Sequence, residues 1–131
     1  MEYTNQFSLD LRPSDIPKVV SVKQNDTLSR LLYIQLTMDG NPFVPESGVT
    51  YSFRCRKPNG DLVTVDSSTR DAASGQYLVT DAGNGMIHVE LTDRAIDMPG
   101  RCLCDLCMTR GTQRLSTGLF VLSVIASPNT L

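Results

Sequence analysis

The chain has no tryptophan, one histidine, and only four tyrosines and four phenylalanines among its 131 residues. Aromatic faces on which bases or sugar rings stack are therefore scarce, which weighs against single-stranded nucleic acid and carbohydrate as ligands. Excess positive charge is also missing. Twelve Lys and Arg against fourteen Asp and Glu give a formal net charge of −2, so there is no summed positive field to hold a phosphate backbone. The longest apolar runs are strand-sized pieces such as Leu119 to Leu122, far below the ~18 residues that a membrane-crossing helix needs. Met1-Glu2-Tyr3-Thr4-Asn5-Gln6-Phe7 carries an acid and polar groups where a secretory signal has basic residues and then an apolar run. The expectation is a soluble protein, cytosolic when made, with neither nucleic acid nor membrane as partner.

What is present is alternation. Tyr51-Ser52-Phe53-Arg54-Cys55-Arg56 alternates apolar with polar side chains, breaks at Lys57-Pro58-Asn59-Gly60, and resumes at Asp61-Leu62-Val63. Successive side chains of a strand point to opposite faces, so this period of two marks a strand with one buried and one wet side. Pro58 cannot donate to a ladder, and Asn59-Gly60 tolerates the positive φ of tight turns, so a return strand follows. Apolar residues at 40% and charged residues at 20% are ordinary globular values. At this length a single domain spanning 1–131 is expected, burying roughly two-thirds of its unfolded surface.

The same grammar recurs along the chain. Phe7 to Leu11 reads as a short strand ended by Pro13, Val19 to Val22 as a second, and Arg30 to Met38 as a long one with Leu32, Ile34 and Leu36 on one face. Residues 39–48 are turn formers, and Asp66 to Gly75 reads as an exposed loop. Gln76 to Thr80 and Met86 to Leu91 are strands joined through Asn84-Gly85, a hairpin signal. Thr92 to Met98 is the one plausible helical turn, capped by Thr92 or Asp93 and ended by Pro99-Gly100. Arg101 to Thr109, Gln113 to Thr117 and Leu119 to Ala126 complete the set, the last covered on both faces. Many short strands with little helix predict an all-β fold, an immunoglobulin-like antiparallel β-sandwich with one short helical turn.

Groups that carry chemistry are few. Cys55, Cys102, Cys104 and Cys107 could be thought to hold a metal, but Cys102 and Cys104 share a strand face that Cys107 does not. Core thiols are the expected reading, ahead of a metal site or a disulfide. His88 alternates outward beside Glu90, with no Gly-x-Ser-x-Gly elbow or other nucleophile motif to serve. Asp93 and Asp97 suit capping and solvation better than acid–base work. No catalytic, cofactor-binding or metal residue is assigned, and no cofactor is expected. The dense basic cluster of Arg54, Arg56 and Lys57 lies on the wet face of the Tyr51 strand and at its end. A solvated or guarded face is its plain reading, and Arg54 and Arg56 are the candidates for a protein interface, where Arg is enriched.

Three segments resemble the N-terminal domain of the phage baseplate upper protein family, from siphophage tails and prophages. They are Val22 to Arg30, similar to the family's V-K-Q-G-D-T-x-S-R; Val49 to Gly60, similar to its strand ending in K-P-D-G; and Gly85 to Thr92 with Pro99 to Cys102. Asn25 stands where glycine is common in the family. The resemblance covers about residues 7–126. It implies a virion structural protein that docks onto the tail hub and helps carry the host-recognition apparatus, with other tail and baseplate proteins as partners and self-association left open. The alternative is a carbohydrate- or protein-binding β-sandwich module for host-surface attachment. Family members usually continue into a linker and a trimerising region, so the chain is expected to be either the N-terminal part of a longer one or a short variant standing alone.

Overall fold

The alternating segments fold into two packed β-sheets in a computed structural model that describes residues 3–12, 17–71 and 74–128. The strands are β1 (Tyr3–Asp10), β2 (Lys18–Lys23), β3 (Arg30–Met38), β4 (Asn41–Pro42), β5 (Thr50–Arg56), β6 (Leu62–Asp66), β7 (Val79–Asp81), β8 (Met86–Glu90), β9 (Gly100–Arg110), β10 (Gln113–Ser116) and β11 (Phe120–Ile125), with one helical turn, α1 (Asp93–Ile96). One sheet runs β1-β3-β8-β7 with β4 also beside β3; the other runs β2-β11-β9-β5-β6 with β10 also beside β9. The all-β sandwich with a short helical turn is therefore the architecture.

Pairing departs from the antiparallel expectation at two places, since β1 is parallel to β3 and β2 is parallel to β11. The strands β1 and β2 are consecutive yet belong to different sheets, each added at an edge. Neither is tied to its neighbour by a tight turn, the device that enforces antiparallel pairing. The first strand also starts earlier than its alternation suggests, because the Tyr3 amide already donates to the Ser29 carbonyl at 2.8 Å. Asn41-Pro42, read as loop, pairs with the end of β3. The strand expected at Gln76 to Thr80 is shifted to Val79–Asp81, with Tyr77 making only an isolated bridge to Arg70. Pro13, the expected end of the first strand, and residues 72–73 of the expected 66–75 loop lie outside the described residues.

The core lies between the sheets. Leu32, Ile34, Leu36, Ile87 and Val89 from one meet Phe53, Cys55, Leu106, Phe120 and Leu122 from the other, all essentially without exposure. Each such aliphatic or aromatic side chain contributes roughly 1.5–3 kcal/mol by leaving water. Phe120 sits between Phe7 and Phe53, with ring centroids 5.2 and 6.3 Å away. The strand β11 is flanked by β2 and β9, but of the outward apolar side chains in this segment Val121 alone is buried while Leu119 and Ile125 are about half exposed, so the cover on both faces expected from its sequence is not met. The sheets are also joined by a polar bond, as the inward Tyr51 hydroxyl on β5 donates to the Asp81 carboxylate on β7 at 3.0 Å. Burial and that carboxylate push the phenol pKa well up. The Asn84-Gly85 turn closes β7 against β8 with φ of +56° and +78°, and a Cβ at Gly85 would lie 2.1 Å from the Phe43 carbonyl oxygen.

Around α1 the three sequence segments singled out above come together. The buried Gln24 amide donates to the Asp97 carbonyl at 2.8 Å, and the Asn25 amide donates to the Ile96 carbonyl at 3.1 Å. Asn25 has φ of +66°, a conformation asparagine tolerates better than most residues. Lys57 pairs with the Asp97 carboxylate, and Pro58 packs so closely on Gly100 that a Cβ there would fall 2.8 Å from its ring. Thr92 occupies the N-cap position but makes no side-chain cap bond. The turn is held instead by burial of Ala95 and Ile96 and by these clamps. These motif residues keep the fold at one end of the sandwich.

Candidate docking face

Period two places Arg54 and Arg56 on the outward side of β5, and the register shows what stands beside them. Arg56 lies opposite Leu62 on β6 and Leu103 on β9; Leu103 lies opposite Val121 on β11, and Val121 opposite Val19 on β2. A single row thus crosses the whole sheet as Leu62, Arg56, Leu103, Val121 and Val19. In the neighbouring row Arg54 lies opposite Thr64 and Asp105. Arg54, Arg56, Leu62, Leu103, Asp105 and Leu119 line a shallow depression of about 250 Å3.

The two arginines are not equivalent. Arg54 Nε and Nη2 donate to the two Asp105 carboxylate oxygens at 2.8 and 2.6 Å, and Nη2 also reaches the Ser116 hydroxyl at 3.2 Å. Asp105 is only 9% exposed, so this fork is a partly buried ion pair, and its hydrogen bonds raise the guanidinium pKa further against the opposing effect of burial. Arg56 is exposed and donates from Nη1 to the Gly60 carbonyl at 2.8 Å, within its own hairpin. Of the sequence-level pair, Arg54 is committed to the sheet and Arg56 is presented to solvent. Lys57, the third member of the basic cluster, is drawn away to Asp97.

The apolar part of the face was not singled out from the sequence. Leu62, Leu103 and Leu119 are 49%, 50% and 53% exposed, and Val19 and Ile125 on the same side are similarly open. These five are half of the ten strongly exposed large apolar side chains among the described residues. Singly exposed apolar residues are ordinary, whereas these five share one sheet face and three of them line one depression. A signal existed: the alternation that buries Cys102, Cys104 and Leu106 puts Leu103 on the other side with Asp105. At the start of the 66–75 loop Asp66 accepts bonds from Ser68 and Thr69, which lower its carboxyl pKa.

The remaining chemistry-bearing residues are structural in their placement. All four cysteines are buried free thiols. Cys55 lies directly opposite Cys104, Cys102 is next along the inward face, and Cys107 is on the other face. The Cys55 thiol, although its contact with Cys102 pulls the other way, is pushed up to about 12 by contact with Cys104 and by burial. Contact with Cys55 and burial raise Cys102 still further. Among the described residues no three His, Cys, Asp or Glu side chains are arranged to hold a metal ion. His88 points outward but is half-buried, its ring stacked on Tyr33 at 3.7 Å and 5°, and burial lowers its pKa. The Asp93 side chain lies outside the described residues, and Asp97 serves Lys57.

Comparison with known proteins adds one match. The family model described as "BppU N-terminal domain" matches residues 1–130. No curated protein matches the chain.

Proposed function

Because the chain belongs to the BppU N-terminal domain family, and so is a structural protein of the phage tail baseplate that contacts other tail proteins, we propose that it is a non-catalytic docking module. It seats on the tail hub through the outward face of the β2-β11-β9-β5-β6 sheet and helps carry the host-recognition apparatus. The observation that supports this reading is the concentration of exposed Leu62, Leu103, Leu119, Val19 and Ile125 on that one face, with Arg56 among them. Such a mix of an apolar centre and an arginine is what protein interfaces enrich. Docking of this kind needs shape and a dry contact, and no acid, base or nucleophile.

The test mixes the purified protein with the tail hub protein of the same phage and measures complex formation by size-exclusion chromatography with light scattering. Leu103→Asp and Arg56→Glu should each weaken the complex at least tenfold while leaving the melting temperature within about 2 °C. Binding by both variants at wild-type strength would refute the face assignment. A host-surface sugar-binding module is the second reading. Its aromatic candidates among the described residues are the Tyr33–His88 stack, in which each ring covers the other, and the exposed Tyr3 and Tyr77, each with an arginine guanidinium over its ring. Binding to host glycans without binding to the hub would favour it.

A further inference from the structure

The six-stranded sheet carries a hairpin whose inward face lines a cavity. The β9–β10 hairpin turns at Gly111-Thr112, with Gln113 opposite Arg110 and Leu115 opposite Met108. Among the described residues that line the space over its inward face, none belongs to a strand of the other sheet. Phe43, Pro45, Glu46 and Val49, from the loop that leads into β5, stand there instead, and the two walls enclose a cavity of about 430 Å3. That size is within the range, about 300–1,000 Å3, of cavities that receive ligands. Its floor is apolar: Met108 is 4% exposed, Leu115 is 44% exposed, and Phe43 and Val49 are half-buried.

Two further features adjoin the cavity. The strand β10 pairs with β9 alone, so its second edge meets no strand among the described residues. That edge carries Gln113-Arg114-Leu115-Ser116, without the proline that often blocks an open edge. At the mouth, Arg110 is paired with the exposed Glu46, while Arg114 is exposed with no acidic partner among the described residues. Of the two guanidiniums, Arg114 is thus the one left without a carboxylate among the described residues.

We infer that the β10 edge and this cavity form a second docking site, which takes an extended segment of another protein by strand addition, its alternate residues apolar and acidic. Strand addition supplies main-chain hydrogen bonds from the edge, and pockets beneath it select every second side chain. In this geometry the apolar residues of the segment enter the cavity over Leu115 and Met108. Its acidic residues face the other way, toward Arg114. A second copy of the same chain is a poor occupant, because antiparallel self-pairing of β10 would bring Arg114 close to its own counterpart, and like charges across a strand pair repel. The cavity opens on the inward side of the sheet, opposite the face of Leu62, Leu103 and Leu119, so the domain presents two surfaces, as a part that joins one protein to another requires.

The experiment selects a yeast-displayed library of random heptapeptides against the intact protein. Enriched peptides should alternate apolar residues with Asp or Glu. They should lose at least tenfold in affinity for Arg114→Glu and for Leu115→Asp, and slow amide exchange at Gln113 to Ser116 when bound. Replacing the peptide acids by Lys should restore binding to Arg114→Glu, whose exposed position leaves folding intact. The inference is overturned if no set enriches, if the enriched peptides are basic or lack alternation, or if they bind without slowing exchange on β10.

Discussion

Replacing Arg54 by alanine should destabilise the protein, whereas the same change at Arg56 should not, although the two sit two residues apart on one face. Removing Arg54 strips Asp105 of both charge-assisted hydrogen bonds that the structure gives it, at 2.8 and 2.6 Å, while the carboxylate stays mostly covered. Breaking a fully buried pair by deleting one partner costs about 3–5 kcal/mol. Here the Arg54 side chain is 32% exposed, so water partly replaces it and the cost falls to about 2 kcal/mol. Unfolding entropy of roughly 2.1 cal/mol/K per residue gives about 0.28 kcal/mol/K for a chain of this length, so the melting temperature should drop by about 7 °C. Arg56→Ala forfeits one exposed bond to Gly60, worth within about 0.5 kcal/mol, and should move it by less than about 2 °C. The double change Arg54→Leu with Asp105→Leu removes both charges together and should return to within about 1 kcal/mol of the wild type. Differential scanning calorimetry with urea titration measures all three. Equal melting temperatures for Arg54→Ala and Arg56→Ala would show that the fork carries no net stability and that the distinction between the arginines is wrong.

Other expectations follow from the same geometry. Gly85→Ala combines a positive φ with a Cβ 2.1 Å from the Phe43 carbonyl oxygen, so urea denaturation should show a loss of about 2–4 kcal/mol. The four thiols, buried and with Cys55 pushed up to about 12, should stay unreactive toward a disulfide reagent at pH 8 for hours, and all should react at once in guanidinium. Burial lowers the folded pKa of His88, so as pH falls through about 6.5 the unfolded chain takes up the proton first. Its contribution, present above that pH, is lost until the lower folded pKa is passed. Denaturation curves between pH 5 and 7 should therefore be flatter for His88→Phe, which keeps a ring to stack on Tyr33, than for the wild type.

Period-two alternation was enough to identify most strands because it reports a local fact, which side of a pleat each residue faces. It was strongest where one face is dry and the other wet, as in β3, whose bounds at Arg30 and Met38 match the sequence reading. It failed where backbone pairing decides, as at β1, which a parallel partner extends to Tyr3, and at the displaced β7. The sequence could also place Arg54 and Arg56 together on a wet face. It could not tell which of them is free, because Asp105 is 51 residues away and reaches Arg54 only through the β5–β9 register.

By itself, then, the sequence determined the β class, the in-and-out parity of each side chain, the core placement of Cys55, Cys102 and Cys104, and the family through its motifs. The tertiary structure decided which strands are neighbours. Neighbourhood is a long-range choice, and it alone gathers Leu62, Leu103, Leu119 and Val19 from four separate segments onto the face beside Arg56. Among the described residues it also leaves β10 without a second strand partner, beside Leu115. Parity is written in adjacent residues, whereas a surface depends on the register of strands far apart in the chain.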